Sequence, residues 1–484
     1  SFPPYDPWLA GGYINYYYFG YVMAAVPTKL LGIVPSVAYN LLLPMLFAMT
    51  GSGAFCVAYN LLKYQQREAS RRHDKTYPVL GGLAAVTMMV LVGNLGQIDT
   101  ILKAIRNSSV VTSARMLDAS LSKWFVMLRD FISQPGMSSI GRGEWYWNAT
   151  RIIPHSVGEA GPITEFPLFT FLYADLHAHM LALPLTLLAI SWCVCLVLGA
   201  KQSLRMDENI LLFCVGGITI GSLAATNTWD FPVYMALGCM AVVWGHLRFC
   251  NKLDYAFLLG ASARVVALIA LGTLLYQPYA KWFGSGYNRI ELWSGSMTPL
   301  HSFLKIHGLF LFVIVTFMIA ESSKLFRSDL TGNSYENQAR HYAVLLGGVA
   351  LAIMGIVLFV RGVQIAPLVL GLVALGSLIL IYLPENASIK IVITIVILAL
   401  VLTLIVEVLR LSGDIGRMNT VFKFYFQAWT LLSIASGVAV VWAYERVKKW
   451  GRRSGAIWNL GVVVLMAIAS SYTLLATLAK IADR

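Results

Sequence analysis

A polytopic, all-α bundle of membrane-spanning helices is the fold this chain predicts, and three observations predict it. Of its 484 residues, 58% are hydrophobic and 12% charged, against about 45–50% and about 25% in an ordinary soluble domain. The apolar residues fall in runs near the roughly 20 residues that a helix needs to cross a hydrocarbon core. Basic residues collect in the connections between alternate runs, the pattern that orients membrane chains. An ordinary soluble enzyme is excluded. The formal charge of +13 lies between spans, so it speaks for membrane topology and no nucleic-acid partner is expected.

The basic connections lie near 63–76 (Lys63, Arg67, Arg71, Arg72, Lys75), 200–208 (Lys201, Arg205), 248–253 (Arg248, Lys252), 323–341 (Lys324, Arg327, Arg340) and 445–453 (Arg446, Lys448, Lys449, Arg452, Arg453). The positive-inside rule makes them cytoplasmic. Working outward gives about 12 spans, near 37–62, 77–93, 176–199, 209–226, 232–250, 255–276, 304–322, 342–360, 365–383, 390–409, 422–444 and 457–480. The alternation requires that residues 16–33 not cross. They hold Pro27 and Lys29 and run into Gly32 and Pro35, so they are read as a helix on the outer surface.

The same reckoning places 94–170, 227–230, 277–303 and 410–421 outside, where the patterned polar residues gather. One membrane domain, residues 1–484, is expected, with an outer loop and surface helix in 1–36 and a long outer loop in 94–170. No fixed-period repeat interrupts it. The start at Ser1 is unlike a signal peptide, and a first span is expected to precede it. The six cysteines (Cys56, Cys193, Cys195, Cys214, Cys239, Cys250) lie in or beside apolar runs without metal-finger spacing, and no disulfide framework follows.

Several outer motifs carry candidate chemistry. Pro3-Pro4-Tyr5-Asp6-Pro7-Trp8 precedes Asn15-Tyr16-Tyr17-Tyr18-Phe19-Gly20. Asp6 is a candidate general base, and the rings suit a sugar or lipid. Equally, Asp-Pro opens a turn and the tyrosines form an interfacial belt. Glu165-Phe166-Pro167 is followed by Ala174-Asp175-Leu176-His177-Ala178-His179-Met180. On a helix Asp175 and His179 share a face; in an extended segment all three alternate onto one side. Either geometry suits a divalent cation or proton transfer, and the alternative is hydrogen bonding between helices.

Trp145, Trp147, Arg151 and His155 set aromatic faces beside a cation, suited to sugar stacking and phosphate pairing or to anchoring. Trp229 and Asp230 stand at an outer helix junction, where Asp230 also suits a cap. Arg417 and Lys423 lie outside against the positive-inside trend. Arginine grips phosphate bidentately; the competing role is snorkelling, or pairing with Asp414 or Glu407. Arg264, near the middle of a span, has no role assigned.

Together, Pro4-Tyr5-Asp6-Pro7-Trp8, Asn15-Tyr16-Tyr17-Tyr18-Phe19-Gly20, Ala174 to Met180, Asn227-Thr228-Trp229-Asp230 and Arg417-Met418-Asn419-Thr420-Val421-Phe422-Lys423-Phe424-Tyr425 resemble the YYY membrane proteins of archaea and Chloroflexi-type bacteria. That family is a domain of unknown function (DUF2298), and the resemblance covers nearly the whole chain. More distantly, the order is similar to that of C-type (GT-C) glycosyltransferases, whose first outer loop carries an acidic residue and surface helices before the second span. Asp6, residues 16–33 and the span from 37 match that order, while the first span is missing.

This resemblance implies a GT-C-like bundle in the cell membrane. Sugar would pass from a polyprenyl-phosphate-linked donor to a glycan, lipid or protein acceptor on the extracytoplasmic face. It implies Asp6 as the base that activates the acceptor. Asp175, His177 and His179 join it as catalytic candidates, and the same three are the candidate ligands of a divalent metal ion. Tyr16, Tyr17, Tyr18, Trp145, Trp147, Arg151, Glu165, Trp229, Asp230, Arg417, Asn419 and Lys423 are the expected substrate contacts. The alternatives are a transporter or lipid flippase, and a noncatalytic subunit that binds lipid-linked glycans.

Overall fold

The computed structural model describes residues 3–68, 76–107, 140–202, 204–250, 252–284, 289–325, 335–383 and 386–483. Arg71, Arg72, Lys75, Arg327 and positions 108–139 of the long outer loop lie outside the described residues. A short helix, α1 (Phe19–Leu30), precedes the long α2 (Pro35–Glu68). Next comes α3 (Thr76–Val86), which widens into a π-helical turn at Thr87–Leu91. The outer segment contributes α4 (Gln97–Asn107), α5 (Glu144–Trp147) and α6 (Pro167–Tyr173).

Four long helices follow: α7 (Ala178–Leu198), α8 (Met206–Thr226), α9 (Asp230–Cys250) and α10 (Tyr255–Leu274). After α11 (Gln277–Ala280) and β1 (Ile290–Leu292) come α12 (Leu300–Leu325), α13 (Tyr335–Val360), α14 (Ala366–Tyr382) and α15 (Ala387–Val408). The chain closes with β2 (Leu409–Leu411), α16 (Met418–Val447) and α17 (Arg452–Ala482).

Ten of the described helices are long and apolar enough to cross a membrane. The other two expected spans are the shorter apolar helices Thr76–Leu91 and Ala366–Tyr382. Sequence chemistry sets several boundaries. Asp254 caps α10 by accepting from Phe257 N at 2.8 Å, and Asn386 caps α15 by accepting from Ile389 N at 3.1 Å. Of the residues in α1, a helix of only 12 residues, Gly20 alone is buried.

Contacts sort the helix ends into two groups. At one end Arg248 joins α9 to α2 and α7 through Glu68 at 3.7 Å and Val197 O at 2.6 Å. There too Arg446 of α16 pairs with Glu321 of α12 at 3.0 Å, and Trp442 meets Gln65. At the other end Tyr39 bonds Ala174 O at 3.0 Å, and Tyr472 bonds Tyr146 O at 3.1 Å. Arg264 of α10 turns back along its own helix to Gly260 O at 3.0 Å, which keeps the guanidinium hydrogen-bonded on an exposed face.

The central element is α16, with 83% of its apolar window buried, against 6% for α13. It crosses α3 closely at Gly437, where a Cβ would lie 2.6 Å from the Ala85 backbone, so only glycine admits this approach. The π turn at Thr87–Leu91 is braced by the same helix, because Ser433 Oγ donates to Met88 O at 3.0 Å.

The start of α16 is fixed by charge. Arg417 Nη1 lies 2.6 Å from Glu407 Oε1 and 3.0 Å from Val406 O, and Nη2 donates to Thr298 Oγ1 at 3.1 Å. Glu407 also accepts from Thr298 N at 2.8 Å and Thr298 Oγ1 at 2.5 Å. The arginine and glutamate side chains are 1% and 0% exposed. Asp414 accepts from Thr420 N at 2.7 Å and Asn419 N at 3.1 Å, in the first turn of α16. The β1/β2 ribbon, antiparallel with Glu291 opposite Arg410, lies just ahead of this cluster.

Removing one partner of a buried pair strands the other charge and costs about 3–5 kcal/mol. Arg417→Met should lower stability by that amount in thermal unfolding of the detergent-purified protein. The double variant Arg417→Met/Glu407→Gln should recover much of the loss, because a neutral amide still accepts from Thr298.

Candidate functional site

The segment between α6 and α7 is built to present side chains. Pro167 opens α6 at its first turn, and Ala174 closes it in the left-handed region at φ 62°. Among the described residues it is the single non-glycine with positive φ, a conformation that costs about 1–2 kcal/mol. Such strain persists where surrounding structure holds it. Here Tyr39 holds it, since its hydroxyl donates to Ala174 O and accepts from Leu176 N at 2.9 Å.

The chain then makes a tight turn, with His177 N donating to Asp175 O at 2.7 Å, and His177 stands at the start of α7 with ψ 160°. This shape brings Asp175 Oδ2 within 2.7 Å of His177 Nδ1, with both side chains about half exposed, 49% and 50%. His179, two residues on, has its ring centre 5.6 Å from that of His177. Its Nε2 lies 3.4 Å from Thr170 Oγ1, and its ring meets the rings of Phe422 and Phe426 at 4.8 and 5.2 Å.

These residues wall a cavity of about 430 Å³. Its aromatic surfaces come from Tyr16, Tyr17, Trp147, Tyr173 and Phe283, and its carboxylates from Glu165 and Asp175. Asn15, Asn227, Asn419 and Gln427 add planar amides, and Lys423 an ammonium group. One face of α16 supplies Asn419, Phe422, Lys423, Phe426 and Gln427, at the i, i+3, i+4, i+7, i+8 spacing of a helical stripe. The Lys423 Nζ is 3.3 Å from the Tyr17 hydroxyl and 5.4 Å from the centre of that ring.

Behind the wall, Asp230 orients two of the amides. Its Oδ1 accepts from Asn227 Nδ2 at 2.8 Å and Gln427 Nε2 at 2.7 Å, and Tyr234 donates to Gln427 Oε1 at 2.6 Å. At the rim Asn15 and Gly284 exchange two hydrogen bonds, at 2.8 and 3.0 Å. Glu165 is largely buried, and that burial pushes its carboxyl above the usual range against the opposing pull of Arg151. The Arg151 guanidinium is 3.7 Å from Glu165 and 5.2 Å over the Trp147 ring.

The structure thus gathers Tyr16, Tyr17, Trp147, Glu165, Asp175, His177, His179, Asn419 and Lys423 around one cavity. The other expected contacts are not on its wall. Asp6 is turned into its own loop, where its Oδ1 accepts from Trp8 N and Leu9 N. Arg417 is committed to Glu407, the competing role that its sequence allowed. Trp145 is wholly buried in the core, and Tyr18 packs against Tyr279 at 5.3 Å. Trp229 sits beside Phe424, while Arg151 and Asp230 act from behind Glu165 and the amides.

Among the described residues no three His, Cys, Asp or Glu side chains group as a metal site. Asp175 and His177 are bonded to each other, and His179, whose ring centre is 5.6 Å from that of His177, also lies 3.4 Å from Thr170 Oγ1. Sequence reasoning missed Asn15, Tyr173, Asn227, Phe283 and Gln427. Asn15 and Asn227 stand inside quoted motifs and Gln427 continues the α16 stripe, but Tyr173 and Phe283 carried no signal.

Fold and cavity define a polytopic all-α membrane protein. Residues 1–432 match the family described as Uncharacterized membrane protein (DUF2298), and the chain belongs to it. No curated protein and no solved structure matches the chain, so the GT-C likeness rests on motif order alone.

The Glu165 carboxyl sets a pH dependence with a definite sign. A carboxyl whose folded value is raised keeps its proton in the native state longer than in the unfolded chain. Its contribution is fully present below the ordinary carboxylate range and is lost as pH rises through the folded value. Glu165→Gln should therefore flatten the fall in melting temperature with rising pH from 4 upward, as measured by unfolding scans in detergent.

Proposed function

We propose that the cavity is the active site of a membrane transferase that moves a sugar from a polyprenyl-phosphate-linked donor to an acceptor hydroxyl on the extracytoplasmic face. The observation that carries this reading is the Asp175–His177 pair on the wall of a cavity lined by aromatic rings, amides and one ammonium group. Rings that cover apolar sugar faces, with planar polar groups around them, suit a saccharide. A single lysine suits a phosphodiester, which carries one negative charge.

In this mechanism the role first given to Asp6 passes to His177. Asp175 holds the Nδ1 proton and so leaves Nε2 free to accept, the logic of an oriented imidazole base. The acceptor hydroxyl gives its proton to Nε2 as its oxygen bonds the anomeric carbon. The bond from that carbon to the phosphate oxygen breaks, and the polyprenyl phosphate leaves with the electron pair. Lys423 balances the charge that develops on the leaving oxygen. Glu165, with Arg151 behind it, and the amides fixed by Asp230 hold the sugar hydroxyls.

The test is transfer of labelled hexose from polyprenyl-phosphate donors by the purified full chain in nanodiscs. His177→Ala should lower turnover by about 10²–10⁴-fold, the usual worth of a positioned base, and Lys423→Met should also lower it. Asp6→Asn should retain transfer. Unaltered turnover in both His177→Ala and Lys423→Met would overturn the assignment, and saturable glycan-lipid binding without turnover would select a binding subunit instead.

A further inference from the structure

The segment that holds Asp6 has a shape of its own, unrelated to the cavity chemistry. Ile14 N bonds Pro4 O and Asp6 N bonds Gly12 O, each at 3.0 Å, so the two arms run side by side. The rings of Tyr5 and Tyr13 stack across them with centroids 5.3 Å apart. Asp6 Oδ1 closes the tip by accepting from Trp8 N at 2.8 Å and Leu9 N at 3.2 Å, and Gly11 makes the return at φ 78°. An aspartate side chain that binds the backbone two and three residues on is a standard turn device. It leaves Trp8 95% and Leu9 64% exposed at the tip.

The base of this finger is tied to the surface of the bundle. The Tyr13 ring meets Trp282 edge-on at 5.1 Å, and Trp282 follows closely on α10 and α11. Over its apolar window α10 is only 22% buried, with Val266, Ile269 and Leu274 exposed, which makes it a lipid-facing helix. Tyr13 and Trp282 therefore stand where that lipid-facing surface ends, with the Lys281 ammonium 5.8 Å from the Trp282 ring. Tryptophan and tyrosine are enriched at this depth because each has an apolar body and a polar tip. A nearby lysine favours anionic headgroups.

We propose that residues 4–14 form an anchoring finger that seats Trp8 and Leu9 in the headgroup layer of the bilayer, beside α10. The occupant is lipid because the exposed apolar tip continues the lipid-facing surface of α10 through Tyr13 and Trp282. Asp6 is then the positioning residue of an anchor, and this inference stands whether or not the cavity transfers sugar.

The experiment places a fluorescent amino acid at position 8 of the full chain by codon suppression, in nanodiscs of phosphatidylcholine and phosphatidylglycerol. A lipid with its quencher close to the headgroup should quench the probe several-fold more than aqueous iodide does. Quenching mainly by iodide would put the tip in water and overturn the proposal. Quenching by neither would mean that protein covers the tip, and would also overturn it. Asp6→Ala, read by the same probe, should release the tip and shift the balance toward iodide; an unchanged balance would refute the positioning role of Asp6.

Discussion

A guanidinium and a carboxylate buried among apolar helices leave the chain little freedom, and the Arg417–Glu407 pair is the constraint on which the architecture depends. Neither charge tolerates that setting alone, so the end of α15, the start of α16 and the Thr298 backbone must meet in one register. Asp414 then fixes where the first turn of α16 begins. Once that origin is set, helical periodicity alone turns Asn419, Lys423 and Gln427 toward one side. Two further charged or polar networks settle the rest: Asp230 steers the amides, and the strained Ala174 presents the Asp175–His177 pair.

The membrane architecture was legible because its cause is one-dimensional. A run of about 20 apolar residues is visible wherever it occurs, and the alternation of basic connections oriented the runs. The shortness of α1, 12 residues, was equally open to reading, since Gly32 and Pro35 stop the helix soon after Lys29. The π turn at Thr87–Leu91 and the β1/β2 ribbon had no such signature, because each depends on partners distant in sequence.

The site was legible only in part, for a related reason. The alternation of spans and basic connections puts Arg417, Lys423, Asp6 and Asp175 at the same end of the bundle, but it does not say which charges are consumed by structure. Arg417 and Lys423 are six residues apart and look alike in a string. Burial against Glu407 takes one, and helical phase gives the other to the cavity. Asp6 is settled by a turn within three residues, a local effect that its Asp-Pro context hinted at. For Asp175, His177 and His179 the outcome was neither helix nor extended strand: a tight turn pairs the first two, and the third lines the same cavity from the first turn of α7.

Helix α16 has 30 residues, about 45 Å at 1.5 Å per residue, and it is clamped near both extremities, by Glu407 at one and by Glu321 and Gln65 at the other. A beam pinned twice does not swing. The opposite wall of the chamber, carried by Asn15, Tyr16 and Tyr17, is fastened by the Asn15–Gly284 bonds and the touch of Lys423 on Tyr17. The chamber is thereby framed on two sides, by α16 and by the tyrosine segment, and its width is set by the distance between two anchored walls.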